Sequence, residues 1–296
     1  MMSMDTFMAV ATGGLVLGAI YALMAAGLAA VWTTLGIFNF AHGAFIALGA
    51  YLGWQIAATQ GAGLGLVAGT LGAVLVMFAF GILVHMALVR PFERRADIVT
   101  ASVITTLAGA AIIESAINLI WGPRSRQMPQ LVRGEVDLGL LRIPQSDLVL
   151  IVVVACVLAA LGWFLGRTRA GRAMRAVSQN RQAAELMGLD VPKLYALAFG
   201  ISAALAGLAG IFVGGLRFMT PTMGTDPLMK ALIVVILGGI ARFTSPIYAA
   251  FLVGMVESFS NYHVGLYWTP AVLFALMIVV LFLKPSGLFS HHQRTL

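Results

Sequence analysis

The 296 residues are 60% hydrophobic and only 10% charged, with a mean hydropathy of +0.98 and a formal net charge of +7. Ordinary soluble domains are about 25% charged, so this composition excludes a soluble globular protein and indicates a polytopic membrane protein. The high pI of about 10.1 does not point to nucleic acid, because no basic patch is interleaved with aromatics in a soluble stretch, and the positive charge is read as topology.

Apolar runs mark nine segments: Phe7–Trp32, Gly36–Ala58, Leu64–Val89, Ile98–Trp121, Leu148–Leu165, Leu194–Leu216, Pro227–Ile240, Pro246–Asn261 and Leu266–Leu283. Most approach the length at which a helix spans a bilayer. No Lys or Arg precedes Arg90, and Asp5 is the only charge before it. A cleaved signal needs a positive leading region, so the first run is expected to be a retained helix. The second run, near 36–58, is expected to be broken or re-entrant. The fold class is therefore an all-α polytopic membrane protein with about eight to nine transmembrane helices. The longest polar interruption, Gly122–Asp147, contains WGPRSRQMP and VDLGLLRIP. It reads as an outer loop with a short hairpin, either a docking surface for an extracytoplasmic partner or a plain connector. Cys156 lies inside an apolar run and reads as a small packing residue. No linker separates two folded units, so residues 1–296 read as a single embedded domain.

Alternate loops fall on alternate sides of the membrane. One set, Arg90–Asp97, Arg167–Lys193, Arg242 and the tail from Lys284, holds 12 of the 18 Lys+Arg, and the other set, Gly122–Asp147 plus Arg217–Lys230, holds six. The denser set is expected on the cytoplasmic side, with the C-terminus inside; nine full spans put the N-terminus outside, whereas a re-entrant run at 36–58 puts it inside. Within the basic loop, residues 166–193, helix formers fill both halves. Asn180 is placed to cap a short second helix, Arg181–Met187, and Gly188 to end it. Two short helices on the cytoplasmic face are a surface for another protein.

Polar residues at membrane depth are costly and usually face a bundle interior or a watery cavity. In LGIFNFAHG (35–43), Asn39 and His42 are three apart and share a helical face, with Gly36 and Gly43 bracketing them. Such glycine-interrupted segments line transport paths, although a pair of this kind also cross-links helices by hydrogen bonds. Glu114 and Asn118, four apart, can share an inward face. Glu257 lies near Asn261, and His85 near the end of the third run reads as reaching the interface. Small-residue faces at Gly13-Gly14 with Gly18, and at AALAGLAG (203–210), allow tight helix packing. No HExxH, GxSxG or Walker A sequence occurs, and no catalytic residue, metal site or cofactor is assigned to this chain. Any ATP hydrolysis that drives transport belongs to another chain.

LGIFNFAHGAFIALGAYL (35–52), preceded by GLVLGAIYALMAAGL (14–28), resembles the membrane permeases of branched-chain amino acid ABC importers, the LivH type. TRAGRAMRAVSQNRQAAELMGLDV (168–191), FGISAALAGLAGIF (199–212), Gly224, Lys230, LGG at 237–239 and KPSGLF (284–289) continue the likeness in order along nearly the whole chain. The resemblance implies a multi-pass protein of the bacterial inner membrane. Its implied partners are a homologous second permease, two ABC ATPase subunits and an extracytoplasmic substrate-binding protein. It also implies that residues 166–193 are a coupling loop, with Arg175, Asn180, Ala183, Ala184, Glu185 and Gly188 as candidate contacts to the ATPases. Asn39, His42, Glu114 and Asn118 are candidates for the translocation path. Relatives of this pattern also serve urea, short amides and organic acids, and a proton-coupled secondary transporter acting through His42, Glu114 or Glu257 is the reading from another class. The chain departs from the pattern after Gly238-Gly239, where IARFTSP places Arg242 and Phe243 in a turn that is usually small.

Overall fold

The computed structural model describes residues 3–60, 64–93, 95, 97–129, 134–137, 142–239 and 244–289. The helices are α1 (Met4–Leu35), α2 (His42–Gln60), α3 (Leu64–Val84), α4 (Ile98–Trp121), α5 (Gln145–Arg167), α6 (Arg169–Gln179), α7 (Arg181–Leu186), α8 (Val191–Leu216), α9 (Thr225–Gly238), α10 (Ser245–His263) and α11 (Thr269–Leu283). A π-helical turn, His85–Val89, and a 3-10 turn, Arg90–Phe92, extend α3. The polar interruption before α5 does contain a hairpin, in which β1 (Glu135–Asp137) pairs antiparallel with β2 (Arg142–Pro144), Val136 opposite Ile143. Among the described residues, five helices are long and apolar enough to cross a membrane: α1, the extended α3, α4, α5 and α8. The chain is an all-α, multi-pass membrane protein, and the turn around Arg242 and Phe243 lies outside the described residues.

Contacts divide the chain into two compact units, and α1, α5 and α9 each begin in one and end in the other. The first comprises Met1–Ala26, Val132–Leu158 and Lys230–Leu296. In it, glycines let α1 and α10 approach backbone to backbone. A Cβ at Gly14 would lie 2.6 Å from Met255 Sδ, and one at Gly18 would lie 2.9 Å from Phe251 Cα. The Ser258 hydroxyl donates to Val10 O (2.6 Å), and the Phe7 ring meets Phe259 at a tilt, centroids 5.6 Å apart. Small residues are what such crossings need, because lipid supplies no hydrophobic drive between helices and close van der Waals contact must replace it. The chain after α11 returns to the end of α9, where Leu288 N donates to Leu237 O (2.8 Å).

The second unit comprises Gly27–Leu131 and Ala159–Met229, with α8 at its centre. The small residues singled out in α8 receive α2: Cβ atoms at Gly49 and Gly210 would fall on the backbones of Gly207 and Ile46. On another side Gly200 and Gly207 pack against Phe78 and Met77 of α3. These pairs fix directions. α2 ascends beside α8, α3 descends, and α4 ascends beside α2, since Thr106 accepts from Phe40 N and Trp121 donates to Gln55. The end of α1 descends, with Gly27 near Ser202, Val31 packed with Phe199, and Leu35 near Tyr195. Cys156, expected to pack, instead lies exposed on α5.

The charge-based orientation makes a direct prediction. In a Cys156→Ser background, single cysteines at Ser125 and Ser178, both exposed, should react from opposite faces of the membrane. An impermeant maleimide should reach Ser125→Cys in intact cells and Ser178→Cys only in inverted vesicles. Labelling of both from outside would overturn that orientation.

Candidate functional site

The interruption after α1 is real and its location is informative. Gly36 ends α1 with φ +73°, a conformation that a side chain would strain. Residues 36–41 are not helical, and Asn39 bends them into α2 by accepting from Ala41 N through Oδ1 (3.1 Å). His42 opens α2, and its Nδ1 lies 3.2 Å from Ser202 Oγ. A Cβ on Gly27 would lie 2.9 Å from His42 Cε1. Ser202 is eleven residues into α8, roughly 16 Å from its start at 1.5 Å per residue. That is about half of a ~30 Å hydrocarbon layer. α2 therefore begins deep within the unit.

A second helix begins at the same place. The chain leaves α8 at Leu216, runs without helix through 217–224, and enters α9 at Thr225. Gly224 meets Gly43 so closely that a Cβ on either would strike the backbone of the other. Sequence reading took 217–230 as an outer loop and missed this return. Pro221, Gly224 and Pro227 were the available signal. Two helix N-termini thus converge at mid-depth, where their free amide groups carry partial positive charge. Asn39 and His42 are both fully buried beside this junction, and Asn39 Nδ2 has no hydrogen-bond partner.

Glu114 and Asn118 are not brought to the junction. The buried stripe of α4 is Ser102, Thr106, Gly109, Ile113 and Ile117. Glu114 is half-buried and Asn118 exposed on the adjoining side, near the fully outward Leu119.

The basic loop forms a rigid platform. Thr168 caps α6 by accepting from Gly171 N (3.0 Å), and Asn180 caps α7 by accepting from Ala183 N (2.9 Å). Gly188, at φ +80°, ends α7, with Leu189 N donating to Ala184 O (3.1 Å). Buried Val177, Ala184, Val191 and Tyr195 pack together with Leu35, so α6 and α7 are fastened to the ends of α1 and α8. Arg175, exposed on α6, donates back to Gly166 O, while Glu185 accepts from Arg181 Nε (3.0 Å). Arg181 also donates to Glu93 O (2.9 Å) and lies over the Tyr195 ring. His85, expected at the interface, is instead buried 2.7 Å from Glu93 Oε1. Asp190 caps α8, and its hydrogen bonds from the Lys193 ammonium and amide hold its carboxyl below the usual range.

Of the six candidate coupling residues, Asn180 and Gly188 shape α7, and Ala184 anchors it from below. Arg175, Asn180, Ala183 and Glu185 carry exposed side chains, and Gly188 is exposed as well. The residues that sequence reading overlooked are Leu186 and Met187, exposed by 90% and 74% at the tip of the loop. An apolar pair held out by a charged, capped helix is an unfilled contact.

In the first unit, Lys230 Nζ and Glu257 Oε1 form a buried ion pair at 2.7 Å, and the Tyr21 hydroxyl donates to Glu257 Oε2. Sequence reading placed Glu257 near Asn261 and did not pair it with Lys230.

The profile of the family described as "Branched-chain amino acid transport system / permease component" matches residues 10–281. The chain is 29% identical over 292 residues to the high-affinity branched-chain amino acid transport system permease protein LivH of Escherichia coli K12, covering 95% of this chain and 94% of that one. It is also 29% identical to BraD, the corresponding permease protein of Pseudomonas aeruginosa, over 95% and 94%. A probable LivH from Methanocaldococcus jannaschii is 26% identical over 93% and 90%. No solved structure gives a significant match.

Proposed function

Because the chain belongs to the family of branched-chain amino acid transport system permease components, we propose that it is the membrane permease of an ATP-driven importer. Its cargo is a branched-chain or related amino acid, and its location is the bacterial cytoplasmic membrane. The relatives are named as branched-chain amino acid permeases along nearly their full length, which favours this cargo over urea or short amides. The observation that carries the importer mechanism is the exposed Leu186–Met187 tip on a platform fastened to α1 and α8. A self-contained carrier has no use for it, whereas an ATPase groove that receives it can pass closure directly to those two helices. Two separate ATPase subunits, a homologous second permease and an extracytoplasmic binding protein complete the assembly.

The path through the permease runs past the junction of α2 and α9. Asn39 and His42 form its closed wall in this conformation. Glu114 and Asn118 belong to the same path at a different place, where the second permease or water covers the outward side of α4.

Reconstitution into proteoliposomes with those partners tests the reading. Leucine uptake should require ATP and the binding protein, and a protonophore should leave it intact. Replacing Leu186 and Met187 together by Glu should lower uptake by more than about tenfold, the loss expected when two apolar anchors leave an interface. Membrane insertion should be unchanged. Uptake abolished by the protonophore would favour the secondary carrier, and wild-type uptake by the double variant would separate the loop from coupling.

A further inference from the structure

We propose that Arg126 and Tyr51 form a receiving site for the carboxylate of the transported molecule, at the extracytoplasmic end of the second unit. The proposal rests on the importer reading and deepens it by assigning the cargo a chemical class and a first contact inside the permease.

The geometry is that of a held guanidinium with one edge left open. The backbone of Arg126 is pinned to the segment after α8, its N–H donating to Met219 O (3.0 Å) and its carbonyl accepting from Met219 N (2.8 Å). Its guanidinium lies 4.2 Å above the Trp54 ring, and Nη2 donates to Trp121 O (2.8 Å). Trp121 is itself fastened to α2, through its indole N–H to Gln55 Oε1 (3.0 Å) and its ring contact with Tyr51 (5.4 Å). Position, plane and one donor of the arginine are therefore fixed. Its Nε is buried without a hydrogen-bond partner. The Tyr51 hydroxyl, on a fully buried residue, is also without one, and Tyr51 shares a face of α2 with Trp54, three residues on, over whose ring the Arg126 guanidinium lies.

Two buried donors left open on residues that both contact Trp121 cost free energy that a folded protein rarely concedes without use. Their chemistry selects the ligand. A guanidinium edge and a phenol both donate, and the guanidinium carries a full charge, so a carboxylate satisfies both and neutralises it. Urea or a neutral amide accepts hydrogen bonds but leaves the charge uncompensated. An acidic side chain on a docking protein is the other source of a carboxylate, but both open atoms lie below the surface, which favours a small molecule that has entered the bundle. The Trp121–Gln55 hydrogen bond ties α4 to α2 beside this place.

The test uses the complete importer in proteoliposomes, with radiolabelled leucine delivered by the cognate binding protein. Arg126→Gln should lower the maximal uptake rate at least about tenfold, the loss of a charge-assisted hydrogen bond. Arg126→Lys should not restore it, because an ammonium lacks the fork. Tyr51→Phe should lower the rate several-fold while the melting temperature stays the same or rises, since it removes an unpartnered buried hydroxyl. The half-saturating concentration of loaded binding protein should be unchanged in all three. Wild-type uptake by Tyr51→Phe, or a change confined to that half-saturating concentration, overturns the site, the latter by assigning Arg126 to docking. Loss of leucine uptake by the wild-type assembly itself would instead overturn the importer reading on which the site rests.

Discussion

Lys230→Met is expected to destabilise the protein by about 3–5 kcal/mol, the cost of leaving one member of a buried ion pair uncompensated. The Lys230 and Glu257 side chains are exposed by only 9% and 2%, and the pair is closed at 2.7 Å. Glu257 also accepts from Tyr21, whose ring lies 5.8 Å below the Lys230 ammonium. Three helices, α1, α9 and α10, meet in this cluster, so removing the ammonium strands a carboxylate that has no water to turn to. The double variant Lys230→Met, Glu257→Gln should recover most of the loss, because the amide keeps a hydrogen bond with Tyr21 and no charge remains buried. Thermal unfolding followed by size-exclusion fluorescence in mild detergent would measure both. A melting temperature for Lys230→Met equal to that of the wild type would show that the pair contributes nothing.

How much of this was legible in the sequence depends on the range of the interaction. The caps of α7 were readable because Asn180 and Gly188 act within a turn of themselves. The break after α1 was readable because Gly36 and Asn39 interrupt an apolar run. The return before α9 was not, although Pro221, Gly224 and Pro227 punctuate it, because a polar stretch after a helix looks alike whether it stays outside or dips inward. Gly43 reveals the difference only by lying against Gly224, and no periodicity connects positions so far apart. The Lys230–Glu257 pair was hidden for the same reason. Glu114 and Asn118 do share a side of α4, as their spacing implies, but spacing cannot say which side faces inward. Leu186 and Met187 were passed over because apolar residues are common in this chain. Their meaning comes from exposure on a loop whose neighbours are charged.

Gly224→Ala is expected to cut transport at least about tenfold. The added Cβ would fall on the carbonyl of Gly43, and the reciprocal Gly43→Ala would lie 2.7 Å from Gly224 O. Overpacking a core costs about 1–3 kcal/mol when side chains can turn aside. Here the obstruction is backbone against backbone, so relief requires the starts of α2 and α9 to separate. Those starts carry Asn39 and His42 on one side and the first turn of α9 on the other, so separation disturbs the depth at which both helices begin. Gly215→Ala and Gly162→Ala supply the control, since nothing lies within 4 Å of either added Cβ. Both should stay within about 0.5 kcal/mol of the wild type in stability and transport normally. ATP-driven uptake, normalised to assembled complex, distinguishes the outcomes. Gly224→Ala that assembles but does not transport places the junction on the path. Gly224→Ala that transports like Gly215→Ala would mean that the two helix ends can spread without consequence, and that the path runs elsewhere.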